Sequence, residues 1–98
     1  MLTHIVIWKY RDDVEETTRE EHRNKLRRLP SLMPEVAIKS FNVGADILHL
    51  ERSYHTGLVA IYADRVALQT YTDHPEHVEV AKLGRSISLH VASVDFED

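Results

Sequence analysis

The chain has 98 residues, a formal net charge of -4 and no cysteine. That length supports one modest domain, here taken as residues 1–98. The acidic balance argues against a sequence-blind hold on nucleic acid phosphates, and the missing thiols exclude disulfides and thiolate chemistry. No apolar run approaches the ~18 residues of a membrane span, and no cationic segment with an apolar core opens the chain. No membrane contact is therefore expected, and a cytoplasmic location is. Seven histidines are many for this length and are the one compositional anomaly.

Leu2 to Tyr10 reads as a strand, with Leu2, His4, Val6, Trp8 and Tyr10 on one face and Thr3, Ile5, Ile7 and Lys9 on the other. A polar turn follows from Arg11 to Glu16. Thr18 with Glu21 forms a capping-box pattern, with Thr17 and Glu20 as the rival cap. The helix that follows runs toward Leu29, with His22, Leu26, Leu29 and Met33 as its inward stripe. Arg19, Glu20, Arg23, Asn24, Arg27 and Arg28 form its wet side, and Pro30 and Pro34 distort or end it.

Ala37 to Val43 reads as a second strand, and Gly44 to Ser53 as a loop with His49 at the surface. Thr56 to Ala63 is a third strand, with Leu58, Ala60 and Tyr62 on one face and Val59, Ile61 and Ala63 on the other. Asp64 caps a short helix whose inward side is Val66, Ala67, Thr70 and Tyr71. A further helix runs from Pro75 to about Gly84, which is placed as its C-cap. Ile87 to Phe96 is the last strand, and His55 and His90 are read as structural or surface groups. The order β-α-β-β-α-β, with the second helical segment broken in two, predicts a ferredoxin-like α+β fold: one antiparallel sheet with helices on one face.

The break in that segment is Tyr71-Thr72-Asp73-His74-Pro75-Glu76-His77. Proline favours the first helical position and pushes its predecessor out of the α region. One helix should end near Asp73, and His74 should cap the next. His77 then lies in a first turn, where unpaired N–H groups disfavour imidazolium. A neutral imidazole can take a proton, and a nearby Tyr71 hydroxyl can donate to a developing oxyanion. The same corner also serves simply to cap a helix and pin a turn. A metal site on His74 and His77 is a third reading, disfavoured because the cap should turn one ring away and no third ligand is local.

The strands carry large apolar residues on both faces, Val6 and Trp8 against Ile5 and Ile7, Leu58 and Ala60 against Val59 and Ile61. A sheet covered by helices on one side only should instead alternate. Burying ~600 Å² of the second face offers on the order of 15 kcal/mol of gross driving force, much of it offset by the cost of association. A homodimer through the sheet face is expected.

The opening His4-Ile5-Val6-Ile7-Trp8-Lys9-Tyr10, Leu32-Met33-Pro34, the Tyr71 to His77 corner and the closing Val94-Asp95-Phe96 resemble the stress-response A/B barrel domain (Dabb) proteins of the dimeric α+β barrel superfamily. The resemblance covers essentially the whole chain, and the corner is its most specific part. It implies dimers whose two sheets make a central barrel, with a pocket between each sheet and its helices. In one plant branch, a polyketide cyclase performs an intramolecular aldol condensation. The base there corresponds to His77, the oxyanion partner to Tyr71 and the first-strand pocket histidine to His4. The implied ligand-lining set is Val6, Trp8, His22, Leu26, Leu58, Ala60, Val80, Ala81 and Val91, and no cofactor or metal is implied. His22 and Leu26 depart from that branch, which is aromatic at both positions, and Trp8 is larger than the aliphatic residue expected. The expectation is a small enzyme using proton transfer on a carbonyl compound. The alternative is a non-catalytic protein that binds an apolar or aromatic small molecule.

Overall fold

The computed structural model describes residues 1–98. Its elements are β1 (Leu2–Tyr10), α1 (Glu16–Leu32), β2 (Ile38–Ala45), β3 (Thr56–Tyr62), α2 (Arg65–Asp73), α3 (Pro75–Ile87) and β4 (Ser88–Glu97). The strands form one sheet in the order β2-β3-β1-β4, with every neighbouring pair antiparallel. This is the ferredoxin-like α+β arrangement that the element order predicts.

One face of the sheet holds the core. Leu2, Val6, Trp8 and Tyr10 of β1 and Leu58, Ala60 and Tyr62 of β3 are buried against Leu26 and Leu29 of α1, Ala67 and Tyr71 of α2, and Val80 and Ile87 of α3. The β1–β3 register places Val6 opposite Leu58 and His4 opposite Ala60, so the inward side chains of the two strands share this face. The other face is not polar. Ile5 and Ile7 are half-buried, while Val59, Val94 and Phe96 stand exposed. The edge strand β4 is exposed along nearly its whole length.

Several element ends differ from the sequence expectations, each for a local reason. Helix α1 starts at Glu16, with Glu15 as an N-cap that makes no side-chain capping bond, so neither threonine capping box is used. Arg19 explains the early start. Its guanidinium donates to the Val14 carbonyl at 2.9 Å and the Arg11 carbonyl at 3.2 Å, tying the turn to the first helical turns. Pro30 is accommodated within α1, which ends at Leu32. Strand β2 extends through Gly44 to Ala45, residues assigned to a loop from the sequence.

Arg23 is not on the wet side: it is only 2% exposed. It donates to Glu20 Oε2 at 2.9 Å and Thr56 Oγ1 at 3.1 Å, and it also pairs with Glu16. Charge-assisted bonds of this kind allow an arginine to be buried. Val66, expected inward on α2, is exposed; Ala67 and Tyr71 supply that helix's buried side.

Gly84 is not a C-cap. Helix α3 continues to Ile87, and Gly84 is buried within it. A Cβ at this position would lie 2.9 Å from His22 Nε2 and 3.0 Å from Trp8 Nε1. Its role is therefore to let α3 approach α1 and β1 closely.

Candidate functional site

The corner forms as proline chemistry requires. Helix α2 ends at Asp73, and His74 is extended at φ -63°, ψ 133°. The His74 ring accepts the Glu76 N–H at 3.2 Å, and Pro75 begins α3. The His74 Nε2 faces Glu35 at 3.4 Å, while the His77 ring turns inward and lines a cavity. The two imidazoles therefore do not converge on one point. No group of three or more His, Asp or Glu side chains gathers in a metal-binding cluster.

The inward turn brings the His77 and Tyr71 rings to a centroid separation of 4.4 Å. His77 Nδ1 lies 2.9 Å from the Thr72 carbonyl oxygen. A carbonyl only accepts, so Nδ1 is the donor. In the neutral ring this leaves the Nε2 lone pair free, and that nitrogen has no partner within the chain. The His77 pKa is lowered from its ordinary value, first by burial and then by the positive charges of His4 and Arg85; the Thr72 bond works against the shift. The direction is the one expected, but burial is its main cause and not the helix N-terminus. Burial pushes the Tyr71 phenol well above the usual tyrosine range, a shift slightly offset by Tyr62, so Tyr71 remains a hydrogen-bond donor at neutral pH.

His4 approaches from β1, its ring centroid 6.3 Å from Tyr71 and 6.0 Å from Tyr62. Its Nδ1 bonds to Asp95, the residue opposite it on β4. That carboxylate can only accept, so the bond fixes the ring orientation and assigns the proton to Nδ1.

The cavity these groups share lies between the sheet and α3 and has a volume of about 220 Å³. His4, Tyr71 and His77 line it together with Val6, Trp8, Leu26, Leu58, Val80, Ala81 and Val91. Two of the residues expected there do not line it. Ala60 is fully buried opposite His4, and His22 is fully buried behind Trp8, ring to ring at 5.1 Å. His22 Nδ1 instead meets the Tyr10 hydroxyl at 2.7 Å, and its Nε2 is buried without a partner. Burial, followed by the charge of Arg23, lowers its pKa to about 4.

Three lining residues, Thr72, Arg85 and Ser93, are not among those the sequence places there. Arg85 follows His77 and Ala81 at intervals of four, a spacing visible in the sequence but cut off by ending the helix at Gly84. Ser93 and Asp95 needed the β1–β4 register, which pairs Val6 with Ser93 and His4 with Asp95. A larger hollow of about 610 Å³ opens near the β2–β3 edge, lined by Ile7, Gly44, Tyr54 and Val59 among others. It holds no histidine and no buried titratable pair, so the smaller cavity is the candidate site.

The model of the stress responsive A/B barrel domain, Dabb, matches residues 2–98. The chain belongs to this family. No curated protein matches this chain. Among solved structures, a dimeric ferredoxin-like protein of unknown function from Thermobifida fusca is similar at 24% identity and a TM-score of 0.87, over 99% of this chain and 90% of that one. A dimeric protein of unknown function and ferredoxin-like fold from Bacteroides fragilis is similar at 25% identity and a TM-score of 0.80, over 99% and 95%. The hydroxynitrile lyase of Passiflora edulis has a TM-score of 0.84 at 13% identity, over 97% and 90%. At that identity the likeness to the lyase is one of fold alone. No helix of this Dabb chain is long and apolar enough to cross a membrane.

Proposed function

We propose that this Dabb protein catalyses proton transfer on a small carbonyl compound, in the manner of an aldol or cyclase reaction, without a cofactor. The observation that carries this reading is the Thr72 carbonyl on His77 Nδ1, which leaves Nε2 as a free base in an apolar cavity shared with Tyr71. His77 Nε2 takes a proton from the carbon beside the carbonyl. The electron pair moves onto the carbonyl oxygen, and the Tyr71 hydroxyl donates a hydrogen bond to the enolate. His4, held by Asp95, orients the substrate or the His77 ring. Val6, Trp8, Leu26, Leu58, Val80, Ala81 and Val91 enclose the apolar body of the ligand. The Passiflora lyase adds only that a protein of this fold performs a lyase reaction.

The working unit is proposed to be a homodimer. Ile5, Ile7, Val59, Val94 and Phe96 make an apolar outer sheet face that a second copy would cover, and two neighbours of this fold are described as dimeric.

Exchange of the α-protons of phenylacetone for deuterium, followed by proton NMR, tests the chemistry. The protein should accelerate exchange, and His77→Gln should remove ~10²–10⁴ of that acceleration without unfolding the chain. Tyr71→Phe should lower the rate while preserving binding. Binding without exchange would leave a ligand-binding protein instead of an enzyme. Loss of the fold in His77→Gln would favour a purely structural corner.

A further inference from the structure

The cavity lining also holds a cation, Arg85. The Arg85 backbone lies eight residues beyond His77 on α3, about 12 Å along the axis at 1.5 Å per residue, and its exposed side chain lines the same cavity, close enough for its charge to lower the His77 pKa. The intervals of four keep His77, Ala81 and Arg85 on one helix face. Trp8 Nε1 borders Gly84, the residue preceding Arg85. Val6, Leu58, Val80 and Ala81 give the same cavity apolar walls.

Arg85 takes no carboxylate partner within the chain, in contrast to Arg23, Arg27 and Arg65, which pair with glutamates. Asp95, the acid on the inward side of β4, is engaged by His4. Ser93 adds a hydroxyl to the same lining. A guanidinium left free beside an apolar cavity recognises carboxylates through paired N–H donors.

We infer that the occupant of this cavity carries a carboxylate bound by Arg85, with its carbonyl directed at His77 and Tyr71. The inference deepens the proposed proton-transfer reading and relies on it only for the carbonyl end. The volume of about 220 Å³ lies below the ~300–1,000 Å³ of drug-sized sites, which restricts the class to a single ring or short chain: a small aryl or alkyl keto acid. A basic residue in the last turn also complements the helix C-terminus. That role would not discriminate between ligands by charge.

Calorimetric titration with phenylpyruvate and with its methyl ester separates the two roles. The wild-type protein should prefer the acid by roughly ten-fold or more, and added salt should weaken that preference. Arg85→Gln should reduce the ratio to about one, Arg85→Lys should retain part of it, and His77→Gln should leave it in place. Circular dichroism establishes that each variant is folded. Equal affinity for the two probes, a preference that survives Arg85→Gln, or no binding of the acid at millimolar concentration overturns the inference. Acid binding through Arg85 without α-proton exchange would refute the proton-transfer reading and leave this one standing. Exchange that depends on His77 but ignores ligand charge would do the reverse.

Discussion

Replacing Gly84 by alanine sets two effects of known size against each other. In an exposed helix interior the change is stabilising by ~1 kcal/mol through helix propensity. Here the new methyl would sit 2.9 Å from His22 Nε2 and 3.0 Å from Trp8 Nε1, closer than such atoms approach without displacement. His22 has little freedom to yield. It is fully buried, held by the Tyr10 hydroxyl at 2.7 Å and packed against the Trp8 ring. Overpacking of this kind costs ~1–3 kcal/mol, and loss of the Tyr10 bond would add ~1 kcal/mol. The steric cost should win, leaving Gly84→Ala less stable by about 1–3 kcal/mol. At ~4–8 °C per kcal/mol for a domain of this size, Tm should fall by roughly 5–25 °C. Denaturant and thermal unfolding at fixed protein concentration measure it, because a dimer's Tm depends on concentration. In a His22→Ala background the same substitution should cost much less, since the nearer obstacle is gone. A wild-type background in which Gly84→Ala raises Tm would refute the close-approach argument.

Two further predictions concern stability and assembly. The folded pKa of His22 is about 4, against an unfolded value near 6.5. Between those values the unfolded chain binds more protons, so stability present above pH 6.5 should fall as the pH drops toward 4, by on the order of 3 kcal/mol from this group. Urea unfolding across that range should show the slope, and His22→Gln should flatten it. On the outer sheet face, Val94→Lys should convert the proposed dimer to monomer in sedimentation equilibrium without altering the circular dichroism of the fold. A monomeric wild-type protein at micromolar concentration would remove the interface.

The strands and the corner could be read from sequence because local physics decides them. Alternation along Leu2–Tyr10 marks two apolar faces, and Pro75 alone places the end of α2 and the cap at His74. Arg23 could not be read in this way. Its burial depends on Thr56, which lies 33 residues away, and on two glutamates brought alongside by an early helix start. Gly84 departs from its expected C-cap place for a similar reason: a glycine late in a helix usually stops it, and only the partner residues on α1 and β1 reveal the close approach. A helix stopped at Gly84 also leaves out Arg85, although its spacing from His77 is visible in the sequence. The bond from His4 to Asp95 joins residues at opposite ends of the chain and exists only through the β1–β4 register.

The proposed chemistry depends most on the protonation state of one ring. Nitrogen-15 NMR of the His77 imidazole at neutral pH reads that state directly. It should show a neutral ring with the proton on Nδ1 and a bare Nε2, titrating below pH 6.5. A proton resident on Nε2, or an imidazolium persisting at neutral pH, would contradict the claim that this nitrogen is the base.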